Sequence, residues 1–178
     1  MAETEPGDGT ITRCYSVRFE RRSKHSAARL WRAITDPAEI AKWTGYPARV
    51  DLRPGGEWQL DFGPTGGGEL DGIIFRVEPE RVLAYVVGWS RPEAAYLNSV
   101  IEWQLRDEAD GGCAYDFVQS GLLDRGEGEE AISAGWHEFF EHLDAHLDGS
   151  HSTYEARHAR WEALNPRYRD QLERLGRG

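Results

Sequence analysis

The stretch Glu129–Leu147, EEAISAGWHEFFEHLDAHL, decides the fold. Ile132, Trp136, Phe139, Phe140, Leu143 and Leu147 recur at steps of three and four, so on a helix they form one broad apolar stripe. Glu130, His137, Glu138, Glu141, Asp144 and Asp148 fall on other sides and read as a solvated acidic face. A lone helix cannot hold so bulky an aromatic stripe in water, so a large concave partner must receive it. The segments before it supply that partner.

From Thr10 to Glu20 the odd positions Ile11, Tyr15, Val17 and Phe19 are apolar and the even ones largely polar, the period of a half-buried strand. Ser26 then caps a short helix with Ala27, Leu30, Trp31 and Ile34 on one side. Asp36-Pro37-Ala38-Glu39 starts a second, reaching about Trp43, with cap, N1 proline and a capping-box glutamate in place. From Pro47 the pattern turns to short strands. Ala48, Val50 and Leu52 alternate up to Arg53-Pro54-Gly55-Gly56, and Trp58, Leu60 and Phe62 up to the glycine-rich stretch 63–68. Leu70–Glu78, Val82–Trp89, Leu97–Arg106 and Cys113–Ser120 follow, separated by turns at 78–81 and 110–112 and by the longer loop 88–98. The order strand, two helices, six strands, long helix, with short connections, predicts an α+β fold. Its seven-stranded antiparallel sheet closes strand one beside strand seven and grips the long helix in its concave face.

Several of these stretches together resemble a known family. Leu30-Trp31-Arg32-Ala33-Ile34-Thr35-Asp36-Pro37, Ile40-Ala41-Lys42-Trp43, Asp51-Leu52-Arg53-Pro54-Gly55-Gly56, Val77-Glu78-Pro79, Ser99-Val100-Ile101-Glu102-Trp103 and Gly135-Trp136 are similar in order and spacing to the Hsp90-activator-homologue-like branch of the START-like (SRPBCC) proteins. The resemblance spans residues 10–148. It implies a helix-grip fold with a cavity for hydrophobic small molecules between sheet and helix. Members of that superfamily include polyketide aromatase/cyclases, lipid carriers, plant hormone receptors and self-sacrifice resistance proteins against enediyne antibiotics. Where many relatives carry two tryptophans, this chain has Trp43-Thr44.

Outside the resemblance, residues 1–9 are polar and read as a mobile terminus, leaving 10–149 as the domain and 150–178 as a helical extension. In that extension Tyr154, His158, Trp161, Leu164, Tyr168, Leu172 and Leu175 keep helical spacing, and Asn165-Pro166 predicts a break into two short helices. Their aromatic stripe packs on the domain's own surface or supplies a dimer contact, so the chain is a monomer or a homodimer.

Acidic residues outnumber basic ones, 31 to 21, which argues against binding a phosphate backbone. MAETEPGDGT has neither the basic start nor the apolar run of a secretory signal, and no stretch approaches a membrane span, so a cytoplasmic protein is expected. Cys14 and Cys113 fall on opposite strand faces and should remain two reduced thiols.

The residues offer little for catalysis. His137 and His142 flank a zinc-protease-like helix but lie five apart rather than four, about 140° out of register. His142 and His146 are correctly spaced with Glu138, yet an exposed acidic helix face carries such pairs by chance, so no metal site is expected. Gly-x-Ser-x-Gly is missing, and the glycine clusters lie between strands instead of opening a helix, so neither a nucleophile nor a phosphate-binding cofactor is implied. Arg76, Asn98, Ser99, Glu102 and Gln119 are the polar groups nearest a cavity, but Arg76 and Glu102 fall out of phase and read as surface charges.

Aromatic residues stand out instead, with seven Trp, seven Tyr and six Phe. The expected ligand wall is Trp58, Leu60, Phe62, Tyr85, Val87, Trp89, Ile101, Trp103, Tyr115 and Phe117 from the sheet, with Trp136, Phe139, Phe140 and Leu143 from the helix. A solid aromatic core is the competing explanation. The expected function is non-catalytic binding or sequestration of a bulky hydrophobic molecule, of the kind natural-product self-resistance uses. An aromatase/cyclase-like enzyme comes second and regulation of a chaperone ATPase third.

Overall fold

The computed structural model describes residues 14–63, 69–88, 99–123, 129–150 and 154–176. In chain order these form β1 (Cys14–Ser23), α1 (Ala27–Thr35), α2 (Pro37–Thr44), β2 (Ala48–Val50), β3 (Glu57–Asp61), β4 (Glu69–Glu78), β5 (Val82–Val87), β6 (Ser99–Asp107), β7 (Cys113–Leu123), α3 (Glu129–Leu147) and α4 (Tyr154–Arg174). The seven strands make one sheet in the order β1-β7-β6-β5-β4-β3-β2, antiparallel throughout. This is the helix-grip arrangement, with strand one beside strand seven as expected from the element order and short connections. Trp89, Leu97 and Asn98 lie outside the described residues, as does Ile11.

Strand phase builds the inner wall. In β6 Ser99, Ile101, Trp103 and Leu105 are buried, and in β7 Cys113, Tyr115, Phe117 and Gln119. The register Phe117↔Trp103 and Tyr115↔Leu105 sets these side chains in adjacent rows on one face. A register shift between Ile74 and Arg76 marks a bulge in β4, which turns Phe75 and Arg76 both outward before Val77 returns to the core. β2 stops at Val50, and Leu52, expected to extend it, is exposed. The chain instead folds tightly at Gly56, where a Cβ would lie 2.0 Å from the Asp51 carbonyl oxygen.

The helices pack around α3 from three directions. Ser26 caps α1 by accepting from the Arg29 amide, and Asp36 caps α2 by accepting from Ala38 and Glu39. The Trp43 indole donates to the Ala33 carbonyl at 2.9 Å and so fixes the corner between the two short helices. Glu39 does not close a capping box. Its carboxylate turns to Arg29 (2.9 Å) and to His146 of α3 (2.7 Å), because those partners pull harder than one backbone amide.

The extension differs from expectation. It is one helix, α4, with Pro166 inside it and the Asn165 side chain donating to the Trp161 carbonyl. α4 runs along α3: Trp161 packs at Gly135 and donates to the Ala131 carbonyl, Arg160 pairs with Glu141, and Tyr168 meets His137 at 2.7 Å. Leu164 is buried. That contact corrects a second expectation. Glu138 and His142 are buried and paired at 2.7 Å, and they share a helix face with Gly135, where Trp161 lies. The polar back of α3 is thus covered instead of solvated. His146 is also buried, held by Glu39.

Among the described residues no helix is long and apolar enough to cross a membrane. Cys14 is exposed and Cys113 buried, at opposite ends of the β1–β7 pair, and both are free.

Candidate ligand site

The strand ends gather the site at one end of the sheet. Cys14 pairs with Leu123, Val87 with Ser99 and Asp61 with Glu69, so the start of β1, the ends of β3, β5 and β7, the starts of β4 and β6 and the N-terminus of α3 share that end. At the opposite end Asp148, just beyond α3, is pinned by Lys24 (3.0 Å) and His25 (2.8 Å). The helix is anchored at its C-terminus, and its N-terminus lies at the shared strand end.

Beneath α3 the expected wall residues fall into two groups. On the β6–β7 side the rings interlock: Phe117 lies 4.3 Å from Trp136, 5.0 Å from Trp103 and 5.1 Å from Phe140, and Trp103 lies 5.6 Å from Phe140. Tyr115, Ile101 and Leu143 are fully buried among the same core. These side chains fill the space against the helix. On the β3–β5 side Trp58 stacks on Tyr85 at 4.7 Å and 18°, flanked by buried Leu60, Leu70 and Val87. No aromatic ring of α3 packs on that stack among the described residues.

Between the two groups lies a partly buried aromatic cluster. Phe139 meets Trp43 at 5.8 Å and Phe62 at 6.5 Å, and Phe62 meets Tyr46 at 4.8 Å. These rings come from α3, α2, the residue just after β3 and the segment after α2. Tyr46 was not expected at the site; its only signal was an aromatic residue immediately after the helix-ending glycine.

Few polar groups face inward. Trp136 Nε1 donates to Gln119 Oε1 at 2.6 Å, and Gln119 Nε2 donates to Ser99 Oγ at 2.9 Å. That chain crosses the loop end of the wall and consumes both ends of the Gln119 amide. The Tyr85 hydroxyl sits beside Trp103, and burial holds it protonated well above the ordinary phenol range. Burial likewise raises Tyr115, whose hydroxyl lies near Arg21. Cys113, at the closed end, has its thiol pushed up to about 11, chiefly by burial, so it is a poor nucleophile. Glu102 accepts from Gln104 on the outer face, and Arg76 is held by Glu78. Neither carboxylate reaches the wall. The indole nitrogen of Trp58 is buried and has no acceptor among the described residues.

A helix-grip domain of this composition finds its relatives directly. Residues 24–148 match the family described as Activator of Hsp90 ATPase homolog 1-like protein. The chain belongs to that family. No curated protein matches it. Among solved structures this AHSA1-like chain is similar to protein MLL2253 from Mesorhizobium loti, at 29% identity over 78% of this chain and 100% of that one, TM-score 0.65. CalU16 from Micromonospora echinospora is similar at 21% identity over 88% of each chain, TM-score 0.69. The Aha1 dimer from Colwellia psychrerythraea shares 17% identity over 75% of this chain and 96% of its own, TM-score 0.66. The family match ends at residue 148, so α4 lies beyond it.

Proposed function

We propose that this AHSA1-like chain binds and sequesters a bulky, ring-containing hydrophobic small molecule in the cup beneath α3, without turning it over. The observation that carries the reading is the contrast between the two sides of the cup. The β6–β7 side is filled by rings from α3, whereas the Trp58–Tyr85 side presents an apolar wall on which no α3 ring packs among the described residues. An apolar concavity with a few oriented polar groups is what a hydrophobic ligand site requires. Sequestration of a natural product is one use of such a cup, and the resemblance to self-resistance proteins points to it. Catalysis would need an acid or base at the wall. Among the described residues the inward-facing polar groups are Ser99, Gln119 and two strongly buried phenols, while Glu102 faces outward.

The test is twofold. Native mass spectrometry of protein purified from its own host should reveal a retained ligand. Apolar polycyclic probes should quench tryptophan fluorescence saturably at micromolar concentration, and Glu102→Gln should leave that binding unchanged. A probe panel with no saturable quenching, together with protein that carries nothing, refutes the reading. Loss of a catalysed turnover in Glu102→Gln with affinity intact would replace it by the enzymatic one.

A further inference from the structure

The two edges of the sheet are unlike. β2 closes one side with three residues, whereas β1 closes the other with ten. Among the described residues β1 pairs only with β7, and no helix runs along its other side. α4 reaches it from the inner face, through the Tyr168 ring on Phe19. An edge of that length is a template for another strand, and proteins ordinarily blunt it with a proline, a lysine or a bulge. β1 contains neither residue, and its register shift lies near its start, between Tyr15 and Val17, so 17–23 runs regularly against β7.

Two observations say what this edge fits. The first is charge. Arg18, Glu20 and Arg22 stand exposed on the outer face, and an antiparallel neighbour that keeps the faces aligned must meet them in one of a few registers. With a second β1 laid so that Phe19 faces Phe19, Arg18 of each copy lies opposite Glu20 of the other, and the twofold axis makes the contact twice. Centring the pair on Arg18 or on Glu20 sets that residue against itself. Centring on Arg21 sets Arg18 against Lys24. The strand is therefore complementary to its own antiparallel copy in one register above the others.

The second observation is burial. Phe19 remains only partly buried, although Phe117, its direct partner on β7, is completely so. In the register set by charge the two Phe19 side chains are cross-strand neighbours on the inner face, and each covers the open side of the other. The aromatic stripe of α4 is meanwhile spent on α3, where Trp161 and Tyr168 lie, so a contact between copies has to use another surface.

We propose that β1 is a self-association edge: two copies join antiparallel about Phe19 and continue the sheet across a twofold axis, with Arg18 of each paired to Glu20 of the other. In the single chain Arg18 reaches its own Glu20 at 2.9 Å and Asp116 at 3.6 Å. Association exchanges one carboxylate partner for an equivalent one and adds backbone hydrogen bonds along an edge that has none from the described residues. The contact uses no residue of the ligand wall and stands or falls apart from the ligand reading.

Sedimentation velocity over a concentration series tests this. The intact chain should move from monomer toward dimer as concentration rises. Arg18→Glu and Glu20→Arg each set like charges opposite one another twice, and either alone should weaken the dimer about tenfold or more. Mixed one to one, the two variants should recover it, because every contact between unlike variants again joins opposite charges. Hydrogen exchange gives a second readout, with the edge amides of β1 gaining protection with concentration in the wild type and not in either variant alone. Both side chains are exposed, at 58% and 69%, so circular dichroism should show the fold unchanged. A wild type that stays monomeric to its solubility limit overturns the proposal. So does a dimer that survives either single variant, as one formed through another surface would, or a mixture no more dimeric than its parts.

Discussion

Trp136 holds α3 to the sheet, and its removal is the sharpest test of the grip. The side chain is 9% exposed, its ring lies 4.3 Å from Phe117 and 5.9 Å from both Phe139 and Phe140, and its N–H is the donor to Gln119. Truncation to alanine removes the transfer free energy of the indole and leaves a cavity, together about 3–5 kcal/mol. It also strips a buried acceptor of its partner, which costs about 1–3 kcal/mol if no water replaces the indole. Against the total stability of an ordinary domain, about 5–15 kcal/mol, Trp136→Ala should retain only a thin margin. Trp136→Phe separates the two contributions, because it keeps a ring against Phe117 while losing the donor, and should cost about 1–3 kcal/mol. Urea unfolding followed by circular dichroism measures both. A loss under about 1 kcal/mol for Trp136→Ala would mean that α3 is not gripped through this residue, since a filled cavity of this kind cannot be that cheap. Equal losses for the two variants would place the whole effect in the hydrogen bond and contradict the packing account.

Two other outcomes are expected. The Glu39 carboxyl is held below the usual carboxylate range, first by its hydrogen bond to His146 and then by the charges of Arg29 and Arg32, against the opposing effect of burial. A depressed folded value contributes stability that is present above the unfolded carboxylate value, about 4.3, and is lost as pH falls through the lower folded one. Thermal melts from neutral to acid pH should therefore decline more steeply below about pH 4.3 in the wild type than in Glu39→Gln; parallel profiles would show that the clamp between α2 and α3 carries no linkage. Ending the chain after Gly149 should leave a folded sheet with α3 in place, less stable by about 2–5 kcal/mol for the lost burial of Leu164 and Trp161. Insoluble or unfolded product would make α4 part of the folding unit.

How much of this was written in the local pattern differs by element. Period-two alternation placed Trp103, Phe117 and Gln119 on the inner face, and strand order followed from short connections, because both are properties of neighbouring residues. Ser26 and Asp36 act as caps for the same reason. Glu39 misled because a capping box is a local motif, whereas its observed partner His146 is 107 residues away. Glu138 and His142 misled likewise: polarity on one face of α3 reads as solvent exposure until α4 is laid across it. Pro166 broke a helix on paper, yet α4 continues through it. The Trp58–Tyr85 stack was beyond reach altogether, since nothing in a sequence announces that Gly72 opens the inner face of the strand between them.

The sequence placed in one class two kinds of wall residue, those on a side filled by rings of α3 and those, Trp58 and Tyr85, on which no α3 ring packs among the described residues. On the filled side, Trp103, Phe117, Trp136 and Phe140 each touch two or more other rings, so losing one leaves the rest unsupported and the cost falls on stability. On the other side Trp58 meets Tyr85 without a ring from α3 above it among the described residues. A ligand bound as proposed would stabilise the folded chain with the logarithm of its concentration over its dissociation constant. Trp58 and Tyr85, buried as deeply as the rings under α3, should nevertheless cost about 3–5 kcal/mol on truncation to alanine without any ligand present, and urea unfolding of the two variants measures it.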